Sequence, residues 1–323
     1  MTVRFASSDR PGRPGRPPGP LGATLRGVTA FTLLTLNTLV WCVLLFSLAL
    51  LKLVLPPRLR PRLDPALNAV ATGWVGGNSG WMRLTQRTRW DVQGHDGLDP
   101  AGWYLVCCNH QSWVDIFVLQ HVLNRRVPLL KFFLKRELIY VPVMGLAWWA
   151  LDFPFMRRHS AAALARRPEL RQQDLQTTRR ACARFAHVPT SVMNFVEGTR
   201  CTPAKQAAQG SPYRHLLVPR TGALAVTLDA MGPRFSALLD ATIVYPGGVP
   251  SFWQFLCGRV PQIVVRLRTL PIPPELAAAA ESAEARRELA GWIGRIWAEK
   301  DAQIAGLLET SADAAPAASV QRR

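Results

Sequence analysis

Apolar residues fall along this chain in three patterns. The first is one long unbroken run. Gly27 to Leu51 carries no charge, and Arg26 and Lys52 bracket it. A helix needs about 20 apolar residues to cross a bilayer core, so this run predicts a transmembrane or membrane-inserted helix within residues 21–56. A cleaved signal peptide is the competing reading, because Ser47-Leu48-Ala49 imitates a cleavage site. The run is longer than a signal h-region and continues past that point, which argues against it. Arg4, Arg10, Arg13, Arg16 and Arg26 precede the run, and Lys52, Arg58, Arg60 and Arg62 follow it. Positive charge on both sides sets no orientation. It fits a hairpin-like or interfacial insertion as well as a span.

The second pattern is weaker. After the helix stop at Pro56-Pro57, residues 66–88 predict a second helix, interrupted at Gly76-Gly77, with Trp74 and Trp81 suited to a membrane interface. The third pattern starts near Arg89. Short apolar, β-branched runs predict strands at Trp103–Cys108, Ser191–Val196, Ala241–Tyr245 and Ile263–Leu267. Helical stretches alternate with them at Trp113–Leu123, Val143–Leu151 and Leu170–Phe185. In the last, Leu175, Thr178, Cys182 and Phe185 share a face. This alternation predicts an α/β fold: a mixed, largely parallel sheet flanked by helices, behind an N-terminal membrane helix. The expected organisation is a disordered basic tail (1–20), the membrane helix (21–56), a juxtamembrane segment (57–88), a catalytic domain (89–274), an amphipathic helix (275–309) and a frayed tail (310–323). Leu289, Trp292, Ile293, Ile296 and Trp297 form the stripe of that last helix. Trp148 and Trp149 read equally well as ordinary core or as an apolar surface for lipid.

Composition narrows the class. Of the 323 residues, 49% are hydrophobic and 19% charged, and the formal net charge is +18. Such a balance favours a polyanion, either nucleic acid or an anionic membrane face. No nucleic-acid fold signature is present, so a membrane partner is expected and a nucleic-acid partner is not. A membrane-tethered binding protein without catalysis stays open on charge alone. The cysteines Cys42, Cys107, Cys108, Cys182, Cys201 and Cys257 include no C-x-x-C pair, which speaks against a tetrahedral metal site. They read as reduced thiols.

The chemistry concentrates at Asn109-His110-Gln111-Ser112-Trp113-Val114-Asp115, directly after the first strand. Open α/β sheets bind ligands at such strand ends. A histidine oriented by a carboxylate is suited to take a proton from a hydroxyl near neutral pH. Ser112 to Asp115 is also a capping-box pattern, in which the acidic residue reaches back to a helix start. The two roles are compatible if the helix begins at Ser112, because His110 then lies in the turn and can fold onto Asp115. A second constellation, Glu197-Gly198-Thr199-Arg200, follows the strand Ser191–Val196, with glycine for a tight turn and arginine as a planar fork for phosphate. Cys107 or Cys108 as a nucleophile is disfavoured in a buried apolar strand. Ser112 lacks a nucleophile elbow.

These blocks resemble the NHxSxxD and FxEGTR motifs of the glycerolipid acyltransferases, the lysophosphatidic acid acyltransferase superfamily. The resemblance covers most of residues 90–270. Lys135-Arg136-Glu137-Leu138 with Val141-Pro142 and Gly145 is similar to the second block. Phe155-Met156-Arg157-Arg158 stands where the family often has F-I-x-R, which points to Arg158; Arg157 departs from the acid that many members carry. Leu217-Val218-Pro219-Arg220-Thr221-Gly222 is similar to the fourth block. The chain resembles most a proteobacterial inner-membrane member of the branch holding lysocardiolipin and long-form lysophosphatidic acid acyltransferases. The resemblance implies a glycerol-3-phosphate acyltransferase-like fold. It also implies transfer of a fatty acyl group from acyl-CoA or acyl-carrier protein to the free hydroxyl of a lysophospholipid. 1-Acyl-sn-glycerol 3-phosphate is the foremost acceptor; lysophosphatidylglycerol, lysophosphatidylinositol and lysocardiolipin types are alternatives. His110 would be the general base, oriented by Asp115. Glu197, Gly198, Thr199 and Arg200 would shape the acceptor-phosphate site, with Lys135, Arg158, Pro219 and Arg220 as further substrate contacts. No metal or other cofactor is implied, and the catalytic domain would face the cytoplasm. Backbone amides near Gly198 or the Ser112 helix start are the expected oxyanion donors.

Overall fold

A computed structural model of the chain describes residues 19–156, 187–278 and 282–313, with a few positions between 166 and 183. The expected helix at 170–185 and Arg158 fall largely or wholly outside the described residues, as do the tails before 19 and after 313. The fold is α/β. Its main sheet has six strands: β1 (Arg89–Gln93), β2 (Tyr104–Cys108), β3 (Leu130–Phe132), β6 (Ser191–Asn194), β7 (Ala237–Val244) and β8 (Gln262–Leu270), in the order β1-β8-β7-β2-β6-β3. All pairings are parallel except β7 with β8, so the sheet is mixed and largely parallel. A separate parallel pair, β4 (Leu134–Lys135) and β5 (Phe155–Met156), lies beyond β3.

The central strands β2, β6 and β7 are buried at every position and read as largely apolar runs, though buried Asp240, paired with Lys300 and Arg268, interrupts β7, which starts at Ala237 and not at the expected Ala241. The edge strand β1 escapes a hydropathy reading because Arg-Trp-Asp-Val-Gln has no apolar run. Its Asp91 pairs with Arg266 of β8 at 2.9 Å, a polar contact between strands that hydropathy does not register.

One face of the sheet is covered by α3 (Val114–Leu123), α7 (Phe252–Leu256), α2 (Asp64–Thr85) and part of α1 (Pro20–Val54): Ala30, Trp81, Met82, Val118 and Phe255 share one buried cluster with the strands. The other face is covered by α6 (Gly222–Met231) and α8 (Ala283–Asp313), through Leu224, Leu228, Leu289, Ile293 and Trp297. The stripe expected on the C-terminal helix is thus the stripe that packs, and that helix runs on to Asp313. A short helix, α5 (Pro203–Gln209), follows β6 and its turn. A third cluster joins Cys42, Leu45, Leu67 and Ala71 of the first two helices to α4 (Met144–Ala150) and to Leu151 and Phe153 after it.

The α1–α2 pair corrects two expectations. First, α2 is continuous through Gly76-Gly77. The glycines that matter are Gly73 and Gly77, where a β-carbon would collide with the Trp41 ring and with the Asn37 amide of α1. They permit close helix approach rather than a break. Second, Trp74 and Trp81 are not interfacial anchors. Trp74 Nε1 donates to Thr38 Oγ1 of α1 at 3.1 Å, and buried Trp81 donates to Asn78 Oδ1 at 3.1 Å. Helix α1 is fastened to the rest of the fold near both ends. It spans 35 residues, about 52 Å at 1.5 Å per residue. Lys52 near its C-terminal end forms ion pairs with Asp64 at 2.7 Å and Asp152 at 3.1 Å. Near its start, Gly27 lies against Cys257 and Trp253. Only 11% of its most apolar window is buried, so most of its apolar surface faces outward. By length and composition α1 is the one described helix able to cross a membrane.

The glycines of α2 make a paired test. A β-carbon added at Gly80 would meet nothing within 4 Å, so Gly80→Ala should stabilise the protein by about 0.5–1 kcal/mol through helix propensity. Gly77→Ala should destabilise it by about 1–3 kcal/mol, because Asn37 is held by Trp74 O and Asn78 Oδ1, each at 2.9 Å, and cannot yield. Thermal melts of the full chain in detergent, read by tryptophan fluorescence, should move in opposite directions.

Candidate active site

β2 and β6 are adjacent and parallel, so the turns at their carboxyl ends, 109–113 and 195–200, leave the same sheet edge. Asn109 is fully buried and fastens the first turn to β7: Ile243 N donates to its Oδ1 and its Nδ2 donates to Ile243 O, both at 2.9 Å. The turn then delivers His110 onto Asp115. His110 Nδ1 lies 2.9 Å from Asp115 Oδ2, and the His110 side chain keeps 13% of its surface exposed while Asp115 keeps 1%. With a carboxylate at Nδ1, that nitrogen carries the ring proton and Nε2 offers its lone pair.

Both roles open to Asp115 coexist. Gln111 N and Ser112 N donate to its Oδ2 at 2.6 and 2.8 Å, which is the reach-back half of a capping box. The other half is not formed. Ser112 Oγ accepts from Val114 N at 3.2 Å instead of from Asp115 N and donates to Pro250 O at 2.6 Å, and the helix proper begins at Val114. Tyr245, just past β7, donates its hydroxyl to Asp115 Oδ1 at 2.6 Å. The His110 ring stacks on Phe195, with centroids 3.9 Å apart and planes 17° apart. Phe195 in turn stacks near Phe132, and Phe132 near Phe153. This aromatic ladder runs from His110 into the apolar layer shared by α1, α2 and α4.

The second turn is bound to the first. Cys201 N donates to His110 O at 2.7 Å, and Glu197 Oε1 accepts from His110 N at 2.9 Å. Glu197 is fully buried, and its other oxygen accepts from Leu217 N at 3.1 Å. In this arrangement its carboxylate ties turns together behind the site and faces no open surface, unlike a direct substrate contact. Gly198 sits at φ +69°, a conformation that glycine adopts without strain. The Arg220 side chain lies over it, while Arg220 N donates to Val196 O at 2.6 Å. Arg200 is exposed, and its guanidinium lies over the Trp113 ring at 5.3 Å. Thr199 Oγ1 and Arg200 O both accept from Lys205 Nζ of α5, at 2.6 and 3.1 Å. Pro219 is half-buried beside exposed Arg220, and Lys135 is exposed on β4, beyond the edge strand β3.

Several of the amides near the expected oxyanion site are engaged elsewhere. Gln111 N and Ser112 N serve Asp115, and Gly198 N donates to Phe195 O at 2.8 Å. Cys107 and Cys108 are buried, and desolvation pushes both thiols far above their ordinary range, which suits packing and not nucleophilic attack. Tyr245 and Lys205 are site residues that sequence reasoning misses, and Asn109 and Phe195, though inside the motifs, carry roles that it does not read. The only signal for Tyr245 is a hydroxyl at the end of a buried strand, which needs a partner. Lys205 lies five residues past the Glu197–Arg200 motif, and nothing in the sequence points to its contact.

Residues 89–248 match the family model described as Acyltransferase. Among curated proteins the chain is similar to 1-acyl-sn-glycerol-3-phosphate acyltransferase delta of Bos taurus, 27% identical over 61% of this chain and 51% of the relative. It is also similar to 1-acyl-sn-glycerol-3-phosphate acyltransferase gamma of Mus musculus, 26% identical over 69% and 58% respectively. The chain thus spans little more than half the length of these relatives. Its fold is similar to the crystal structure of the 1-acyl-sn-glycerophosphate acyltransferase PlsC from Thermotoga maritima, with a TM-score of 0.52 and 16% identity over 86% of this chain and 97% of that one.

Glu197 makes stability depend on pH. Burial raises its carboxyl from 4.5 to about 7, against the lowering effect of the His110 and Leu217 amides. Between those values the folded protein holds a proton that the unfolded chain has released, so stability should fall as pH rises through that window. The loss should approach roughly 3 kcal/mol above pH 7. Glu197→Gln should flatten this dependence. Denaturant unfolding in detergent from pH 4.5 to 8 measures it, and parallel curves for both proteins would count against a protonated Glu197.

Proposed function

We propose that the chain transfers a fatty acyl group from a thioester donor, acyl-CoA or acyl-carrier protein, to the free hydroxyl of a lysophospholipid. The proposed acceptor is 1-acyl-sn-glycerol 3-phosphate, giving phosphatidic acid. One observation carries the reading: the 2.9 Å His110–Asp115 pair lies in a turn whose carbonyl is bonded to Cys201, the residue after Arg200. A base for a hydroxyl and a cation for a phosphate are thereby held next to each other. The match to the acyltransferase family model and the relatives' names support the same reading.

In the proposed step His110 Nε2 accepts the hydroxyl proton as the acceptor oxygen attacks the thioester carbonyl. The tetrahedral intermediate then collapses. The C–S bond breaks, the ester C–O bond remains, and the thiolate takes the proton from Nε2. Asp115 keeps Nδ1 protonated and stabilises the imidazolium formed between the two proton transfers. Arg200 binds the acceptor phosphate through its N–H edges, with its π-face on Trp113, and Arg220 supplies a second cation over the Gly198 turn. The aromatic ladder Phe195–Phe132–Phe153 provides an apolar track from the reacting carbonyl into the layer beneath α1 and α4.

The lipid substrate places the site at a bilayer surface. The proposed location is the bacterial inner membrane, entered from the cytoplasmic side, where thioester donors are found. The tying of α1 to the domain at both ends supports insertion alongside the domain rather than a straight span. Exposed Leu146 and Trp149 of α4 and Trp253 of α7 add apolar surface beside α1, whereas Trp148 packs inward.

Three outcomes are expected with full-length protein, acyl-CoA and a panel of lysophospholipids, with product read by mass. His110→Ala should lower kcat by about 10²–10⁴-fold. Tyr245→Phe should lower it by about 10-fold with both KM values kept, because it removes one donor from a buried carboxylate. Wild-type rates in both variants would remove His110 and Asp115 from the chemistry. Arg200→Lys should raise KM for the phosphate-bearing acceptor more than KM for the donor, since lysine loses the planar fork. The opposite ordering would assign Arg200 to the donor.

A further inference from the structure

Helix α8 lies outside the segment 89–248 that matches the acyltransferase family model, yet its side chains hydrogen-bond the main chain of segment 214–217, which leads into the Pro219–Arg220 corner. Trp297, Lys300 and Asp301 lie three and four residues apart and share one face of α8. Lys300 is fully buried and anchors that face to β7. Its Nζ pairs with Asp240 Oδ1 at 2.7 Å and donates to Ala241 O at 2.6 Å and Thr242 Oγ1 at 3.0 Å. Asp240 is also held by Arg268 of β8 at 2.8 Å. With the stripe Leu289, Ile293, Ile296 and Ile304 buried as well, the docking of α8 is over-determined.

The two neighbours of Lys300 on this face do something else. The Asp301 carboxylate accepts from Arg214 N at 2.8 Å and His215 N at 2.7 Å. Trp297, also fully buried, donates Nε1 to Leu217 O at 3.1 Å. The segment 214–217 is therefore held along its length by a helix that does not need these bonds to stay in place. Leu217 is the junction. Its carbonyl belongs to Trp297, while its N–H belongs to Glu197, whose other oxygen holds His110 N. Three residues further on, Arg220 lies over Gly198 with its N–H on Val196 O.

We propose that Asp301 and Trp297 are positioning residues for the acceptor side of the active site, fixing segment 214–217 and through it the Pro219–Arg220 corner. The proposal rests on the reading of Arg220 as a contact for the acceptor phosphate. An anionic headgroup bound by two cations needs both at a set separation, and proximity effects are steep in that separation. Arg200 is braced by Lys205; Arg220 follows a segment fastened to α8 at Arg214, His215 and Leu217 and to Gln206 and Gln209 of α5 at Leu216 and Val218. The side chains on α8 need not touch the lipid to set how well it binds.

The test is steady-state kinetics of the full-length protein in mixed micelles, with lysophosphatidic acid and acyl-CoA varied in turn, beside thermal melts. Asp301→Asn keeps one acceptor oxygen and should raise acceptor KM about 3-fold; Asp301→Ala keeps none and should raise it about 10-fold. Trp297→Phe keeps most of the packing, loses the N–H donor, and should raise acceptor KM about 3-fold. Donor KM and kcat should stay within about twofold, and Asp301→Asn with Trp297→Phe together should raise acceptor KM by less than the product of the single effects, because both act on one segment. Glu299→Gln, on the same helix but paired with Arg268, should behave as wild type. Arg220→Ala is the reference for the acceptor reading. If it raises acceptor KM while the Asp301 and Trp297 variants do not, or if those variants lower only the melting temperature, the positioning role is overturned and the acceptor reading stands. If Arg220→Ala leaves acceptor KM unchanged, the acceptor reading of that corner falls and takes the positioning role with it.

Discussion

The Asp115 carboxylate accepts from His110 Nδ1, Gln111 N, Ser112 N and the Tyr245 hydroxyl. Hydrogen bonds to a charged group contribute about 1.5–3 kcal/mol each, and a buried carboxylate without them would be strongly unfavourable. These bonds therefore constrain much around them. They start α3, shape the 109–113 turn, orient the imidazole and draw the end of β7 against the end of β2. A single substitution at Asp115 would disturb a helix start, a turn and a strand end together, so a loss of turnover there cannot be separated from a loss of local structure without its individual donors being removed one at a time.

A second buried carboxylate, Glu197, does the same between turns. It joins the His110 amide to the Leu217 amide across a distance in sequence of 20 residues on one side and 87 on the other. The chain thus assembles its proposed catalytic edge from three separate connections, each short and each tied to a neighbour by a carboxylate. A third buried acid, Asp240, lies deeper and pairs with Lys300 and Arg268 to hold the C-terminal helix. The +18 formal charge conceals how these acids are used: Asp115, Glu197 and Asp240 are buried, and each satisfies two or more donors.

The membrane-facing side follows from a different constraint. α1 has too much apolar surface for a soluble layer, yet Ala30, Cys42 and Leu45 are buried in the protein core and Lys52 is tied to Asp64 and Asp152. The helix is both a layer of the fold and a greasy exterior. Its close packing on α2 depends on Gly73 and Gly77, and its neighbours α4 and α7 expose aromatic residues next to it. Such an arrangement joins the proposed lipid-binding layer to the catalytic edge through the His110–Phe195–Phe132 stack.

Hydropathy alone determined the long apolar N-terminal helix, the central buried strands and the C-terminal stripe, because each is a periodic or continuous burial signal that survives without knowledge of partners. The spacing from His110 to Asp115 placed a base and a carboxylate in one turn, since a helix start between them leaves few other geometries. The edge strand β1, the short β4 and β5, and helix α6 were not legible: their stability comes from partners such as Arg266 that lie far away in sequence. The same reason explains Tyr245, Asn109 and Phe195, whose importance arises only when β7 and β6 come to lie beside β2. The tertiary structure alone decided that Gly73 and Gly77 bring helices together, that Trp74 and Trp81 turn inward, and that Glu197 lies behind the site. Each of these depends on what faces the residue across a packed interface, and a linear pattern of apolar and polar positions does not encode the identity of that neighbour.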